Sequence, residues 1–164
     1  MRDRAHDMTD GTLRTMLVTL LDSKDAHATF DAAVKGVPPK LRGAVPAGWE
    51  YSAWQLLEHL RLAQADILEF CVAARYHEKK WPDEFWPKKP APPNAAAWTK
   101  AIAGFRRDRK TLQRLAGNPR IDLEAIVPHG TTQTYLRELL LIADHNAYHI
   151  GQLVALRKAL GSWS

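Results

Sequence analysis

Three histidines sit on the apolar stripes of two amphipathic segments. They are His59 in Trp54-Gln-Leu-Leu-Glu-His59-Leu, and the pair His145 and His149 in Ala143-Asp-His145-Asn-Ala-Tyr-His149-Ile-Gly-Gln152. Residues four apart on an α-helix lie about 40° apart around the axis and one turn apart along it, so His145 and His149 aim at a common point. Each occupies a position where a helix of a bundle should present Leu or Ile. A single inward histidine is normally a core residue bonded to a carbonyl. Three of them on facing helices suit a shared divalent metal, for which imidazole is a suitable ligand.

Two ligands from one helix and a third from its neighbour form a facial set that leaves positions open for water and substrate. That is the pattern of catalytic metals, whereas structural zinc is usually closed by four ligands. Cys71 is the single cysteine and lies three turns beyond His59, so no thiolate cage is available. The nitrogen-rich set suits Zn, Ni, Fe or Co without choosing among them. The His145-x-x-x-His149 pair has no Glu after its first histidine, so it is not the zinc-protease motif.

Further residues are candidates for the same pocket. Gln152 is three residues after His149, and Tyr148 and Asn146 flank the pair. Asp66, seven residues after His59, falls on nearly the same helix face, either behind the ligands or salt-bridged at the surface. Asp144 is placed to orient an imidazole or to face solvent. Gly151 costs ~1 kcal/mol in a helix relative to Ala, which predicts close approach of another backbone. His27 continues the line Met16, Leu20, His27, Phe30 as a polar group for the cavity rather than a ligand. His6, His77 and His129 fall in loops or tails with surface roles.

Four long helices position these residues. Apolar spacing predicts the first from about Thr9 to Lys35, through Leu13, Met16, Leu17, Leu20, Leu21, Ala28 and Val34. The second runs from about Ser52 to Tyr76, opened by a Ser52–Gln55 capping box, with Leu56, His59, Leu60, Ala63, Ile67 and Phe70 inward. The third runs from Asn94, a good N-cap, to Gly117, with Trp98, Ile102, Phe105, Leu112 and Leu115 inward. The fourth starts at Thr131 or Thr132 and ends near Leu160, with Gly161 as its stop. Between the second and third, Trp81-Pro-Asp-Glu-Phe85-Trp86-Pro87 is too apolar for a solvated linker and too proline-rich for a helix. It predicts an ordered loop over one end or side of the bundle, shaping a site or plugging the core. The connector from Ile121 to Val127 is extended or a short turn.

The chain has 164 residues, 46% of them apolar and 25% charged, which fits a single domain over 1–164 with one core. No apolar run approaches the ~18 residues of a membrane span. The first ten residues are polar and mixed in charge, which predicts no signal peptide. One cysteine excludes an internal disulfide framework and makes the cytoplasm the simplest location. The net charge of +5 is modest. Arg106, Lys110 and Arg114 share a helix face without interleaved aromatics or a nucleic-acid motif, so a solvated face is expected and a nucleic-acid partner is not.

The Trp54-to-Leu60 and Asp144-to-Gln152 segments resemble the DinB-like superfamily of small helical proteins, unrelated to the DNA polymerase of similar name. The Trp81-to-Pro87 loop is similar to that of one branch. The resemblance covers most of the chain. It implies an all-α four-helix bundle with up-down-down-up connectivity, a divalent metal held by His59, His145 and His149, and a frequent homodimer. It also implies a small-molecule substrate, because some members are transferases or isomerases that use low-molecular-weight thiols. Two classes of function follow. One is a metal-dependent thiol transferase or hydrolase acting on a small electrophile. The other is a non-catalytic metal-binding or stress-related interaction protein.

Overall fold

The computed structural model describes residues 4–24 and 26–163, with residues 4–9 as backbone alone. The readings of the first three residues and of the His6 side chain lie outside the described residues. Five α-helices are present and no strand among the described residues: α1 (Arg4–Asp22), α2 (Phe30–Val34), α3 (Ala53–Val72), α4 (Ala95–Gly117) and α5 (Tyr135–Ala159). A 3-10 turn at Pro39–Leu41 lies between α2 and α3.

The helix starts follow their capping chemistry. Ser52 Oγ accepts from the Gln55 amide while Gln55 Oε1 accepts from the Ser52 amide, both at 3.1 Å, completing the expected capping box of α3. Asn94 Oδ1 accepts from the Ala97 amide at 2.8 Å and opens α4. The cap of α5 is Thr134, not Thr131 or Thr132, with its side chain accepting from the Arg137 amide at 3.2 Å. The later start has a physical cause. Val127 N–H bonds Gln133 O at 2.9 Å, and Ile126 pairs with Thr134, which keeps the segment ahead of α5 extended. At the other end, α3 stops at Val72, four residues before Tyr76, because Ala73 turns to an extended conformation.

The expected first helix from Thr9 to Lys35 is two helices. Ser23 takes a positive φ of 55°, and Thr29 re-caps the chain by accepting from the Ala32 amide. The break lets Phe30 drop fully into the core, where it stacks on Phe105 with centroids 3.8 Å apart. Such a pair contributes ~0.5–1.5 kcal/mol beyond its area burial. The break also turns α1 relative to the expected stripe. Leu17 and Leu21 are buried, while Leu13, Met16 and Leu20 face out.

Two buried clusters hold the helices together. One gathers Phe30, Trp54, Leu57, Trp98, Phe105, Leu153 and Leu156. The other gathers Leu17, Leu21, Cys71, Leu112, Leu139 and Ile142. Buried Arg14 ties α1 to the end of α4, donating to the carbonyls of Ala116, Asn118 and Ile121 at 2.8–3.2 Å. A guanidinium there satisfies carbonyls that a helix C-terminus leaves unpaired. On α5, Ile142 and Ala143 belong to the second cluster and Ile150 and Leu153 to the first. His145 and His149 therefore lie where the two clusters meet.

Candidate metal centre

His59 sits two turns into α3, 1% exposed, held rigid by the buried residues around it. From α5, His145 and His149 come up one turn apart. His59 Nε2 lies 3.1 Å from His149 Nε2 and 3.0 Å from His145 Nε2. One donor atom from each of the three falls within 4.8 Å of the others.

The outer nitrogens decide what those short separations mean. His59 Nδ1 donates to the Phe85 carbonyl at 3.0 Å, and His149 Nδ1 donates to Gln152 Oε1 at 2.7 Å. In the neutral ring each of these two residues then turns a bare Nε2 lone pair toward the other. Two lone pairs at 3.1 Å repel unless a positive charge lies between them. Burial pushes the His59 pKa down to about 4, with the charges of His149 and His145 adding to the effect. Burial first, and then His149, pushes His145 down to about 4, and burial lowers His149 as well. All three rings are therefore neutral at pH 7, the form that binds metal. The separations are those of neighbouring ligands that each reach a common ion at ~2.0–2.1 Å, so the donor set fits a divalent metal.

The aromatic loop between α3 and α4 covers the centre. Trp86 stacks on His59 at 3.7 Å and 7°, and Tyr51 stacks on the other side of Trp86 at 4.1 Å. Trp81 approaches His59 at 6.2 Å. The loop is anchored to the start of α3, where Ser52 Oγ donates to Pro90 O at 2.5 Å and Gln55 Nε2 to Pro87 O at 3.1 Å. It thus both caps the core, through Trp86, and shapes the site.

A cavity of about 920 Å³ opens from the histidines, bounded by α3, α5 and the loop. Asp66, Tyr148 and Gln152 all line it. Gln152 reaches the centre by orienting His149, and its Nε2 donates to the Tyr148 hydroxyl at 3.1 Å. Tyr148 stands at the mouth, 64% exposed. Asp66 lines the wall farther along, accepting from Lys79 at 2.8 Å and from Tyr76 at 3.2 Å.

Other readings change. His27 is exposed, bonds its neighbour's carbonyl at Ala28, and lines a separate groove between α1 and α5, because the helix break carries it off the expected line. His129 is not a surface residue. It is half-buried, donates to Ala73 O at 2.8 Å and faces the cavity beside Tyr76. Asp144 is exposed and orients no imidazole, so His145 Nδ1 is buried without a hydrogen-bond partner. Gly151 has no close neighbour, since an added methyl would meet nothing within 4 Å. Arg106 pairs with Asp31 at 2.6 Å, and Lys110 and Arg114 are exposed as expected of a solvated face.

Sequence reasoning missed Glu138, which is 2% exposed and lines the cavity. Its signal was present. Glu138 lies two turns before His145 on the same stripe, where an apolar residue would be expected. It also missed the loop's backbone contribution at Phe85, which no side-chain pattern encodes.

A family model described as the DinB superfamily matches residues 24–153. No curated protein and no solved structure gives a significant match.

Proposed function

The chain belongs to the DinB superfamily, and on that footing we propose that it is a divalent-metal-dependent enzyme with His59, His145 and His149 as the ligands. The observation that carries this reading is the pair of bare Nε2 atoms of His59 and His149, 3.1 Å apart and both fixed by Nδ1 hydrogen bonds. A divalent ion held there would supply Lewis acidity toward a thiol or a water molecule. The metal is Zn, Ni, Fe or Co by donor type.

The protein's own groups do the rest. Phe85 O and Gln152 fix the tautomers of His59 and His149. Trp86, stacked between His59 and Tyr51, keeps bulk water from one side of the centre, while the cavity leaves the other side open to a small molecule. Its size falls within the ~300–1,000 Å³ of small-ligand sites. That opening favours turnover over storage of an ion, and we assign the reaction to thiol-dependent transfer or hydrolysis of a small electrophile, with a low-molecular-weight thiol as co-substrate. Asp66, Tyr148 and Gln152, which line the cavity, are the assigned substrate contacts, with Tyr148 at the entrance.

We extend the same reading to the chain as a whole. A single domain with up-down-down-up connectivity is supported by contacts of Arg14 with the end of α4 and of Arg109 near its middle with Asp22 at the end of α1. Those contacts run α1 and α4 in opposite directions. The free buried thiol of Cys71 supports a reducing cytoplasm. No helix among the described residues is long and apolar enough to cross a membrane. We assign a homodimer and no nucleic-acid partner.

Elemental analysis of the purified, untagged protein beside His145→Ala tests the centre. About one equivalent of metal in the wild type, lost in the variant, is expected. No metal after reconstitution would make the histidines core residues and the protein a non-catalytic binding module.

A further inference from the structure

Two of the three histidines have their outer nitrogen satisfied, His59 by the Phe85 carbonyl and His149 by Gln152. His145 does not, because its Nδ1 is buried and completes no hydrogen bond. A ring that offers Nε2 as a ligand carries its proton on Nδ1. A buried donor left unmet is costly, and metal-binding histidines almost always give that proton to an acceptor.

An unmet acceptor stands on the next residue. Asn146 is 2% exposed, and its Oδ1 is likewise buried without a partner. Its amide lies close enough to act on the His145 ring as a hydrogen-bond partner, short of a completed bond. Which atom of that amide is available is settled two helices away. The Phe105 carbonyl on α4 can only accept, so Gln64 on α3 turns its Nε2 toward it, at 2.7 Å. Gln64 Oε1 then faces Asn146 on α5 and takes its Nδ2–H at 3.0 Å. Turning either amide around would set two oxygens against each other at those distances. Asn146 is left with an oxygen for the side that Gln64 does not occupy. Gln64 is fully buried, so bulk water does not compete for these links. Packing alone gives no reason for two uncharged polar side chains at such buried positions.

We propose that Asn146 is the positioning residue of His145: its Oδ1 is the acceptor for the Nδ1 proton, and Gln64 fixes which way the amide faces. This role rests on the histidine centre proposed above and gives each of its three rings an acceptor on the outer nitrogen. The source differs each time. It is a loop carbonyl for His59, a glutamine three residues on for His149, and an asparagine locked across three helices for His145.

Competition with a chelating dye for Zn, read beside thermal unfolding, tests this. Asn146→Leu removes the acceptor and should weaken Zn binding by about 10–100-fold. Asn146→Asp keeps an oxygen for His145 but sets a carboxylate against Gln64 Oε1. It should melt at a lower temperature and yet hold Zn nearly as tightly as the wild type. A purely structural Asn146 predicts otherwise, with Zn affinity following stability in both variants. Gln64→Leu leaves Asn146 in place but frees its amide to turn, and should lose Zn affinity by a smaller factor. It serves where Asn146→Leu does not fold. Proton NMR of the Zn-loaded protein supplies a second readout. The His145 Hδ1 signal should move upfield in Asn146→Leu and stay downfield in Asn146→Asp. Wild-type Zn affinity in Asn146→Leu, or Asn146→Asp as weak as Asn146→Leu, would overturn the role of Asn146 and leave the centre intact. A wild type that takes up no Zn would overturn the centre itself, and this role with it.

Discussion

Trp86 lies flat against His59, ring centroids 3.7 Å apart and planes 7° from parallel. Its neighbour Phe85 accepts the His59 Nδ1 proton through its carbonyl. The loop therefore fixes the ring orientation and the tautomer of a histidine carried on a different element. Groups that orient a ligand in this way are worth about 10–100-fold in metal affinity. Trp86→Ala should lower affinity for Zn or Co by that factor, and Trp86→Phe should keep most of it. Competition with a chelating dye measures both. An unchanged affinity in Trp86→Ala would make the loop a cover and nothing more.

Gln152 makes a sharper case, because its partner is 8% exposed and the bond is short at 2.7 Å. Gln152→Leu strands the Nδ1–H of His149 without an acceptor, which costs ~1–3 kcal/mol. The expected result is metal binding weaker by about 10–100-fold, with Gln152→Glu restoring much of the loss because a carboxylate accepts the same proton. Tyr148→Phe should leave metal affinity unchanged, since the hydroxyl reaches His149 only through Gln152 and phenylalanine keeps the ring that packs edge-on against His149 at 4.9 Å. A loss in Tyr148→Phe equal to that in Gln152→Leu would show that the tyrosine hydroxyl acts on the centre directly.

The three-histidine cluster was legible in the sequence because each histidine is a polar residue at a position that helical periodicity assigns to the core. The elements around them were legible for the same reason, down to the Ser52–Gln55 capping box. The break after Asp22 was not. It carries no proline or glycine, and the apolar spacing of Leu20, His27 and Phe30 continues through it as though the helix did. Nor does periodicity say which of two apolar faces is inside. Leu17 and Met16 sit one residue apart, and one is 2% exposed while the other is 59% exposed. What α1 turns inward is set by Arg14, whose guanidinium must reach the carbonyls that end α4. The Phe85 carbonyl and the Trp86 stack were invisible because they depend on where a long loop folds back.

Cys71 supplies a prediction about pH. Burial, with the Glu138 charge adding to it, pushes its thiol up to about 12 from an ordinary value near 9.0. Between those values the unfolded chain has lost a proton that the folded chain keeps. Stability is therefore full below pH 9 and falls as pH rises toward 12. Tyr76, raised to about 12 by burial and by Asp66, acts in the same direction above pH 10. Urea unfolding across this range should show the decline, and Cys71→Ala should flatten its lower part. Native Cys71 should also resist alkylation at pH 8 and react on unfolding. Rapid labelling of the native protein would contradict its burial.

The outward face of α1 bears on assembly. Leu13, Met16 and Leu20 are exposed beside Leu140 of α5, and together they line an open groove with His27 at its end. A contiguous apolar surface of this kind on a helical bundle calls for a cover, and a second copy is the cover we assign. Replacing Met16 and Leu20 by Glu would place two charges in such an interface, where desolvation and like-charge repulsion across a twofold both oppose association. The wild type should sediment as a dimer and the Met16→Glu, Leu20→Glu variant as a folded monomer. The groove shares no lining residue with the histidine cavity, so metal stoichiometry should be the same in both. A wild type that sediments as a monomer would remove the assignment and leave the groove to another partner. A variant that loses metal on becoming monomeric would show instead that the centre depends on assembly.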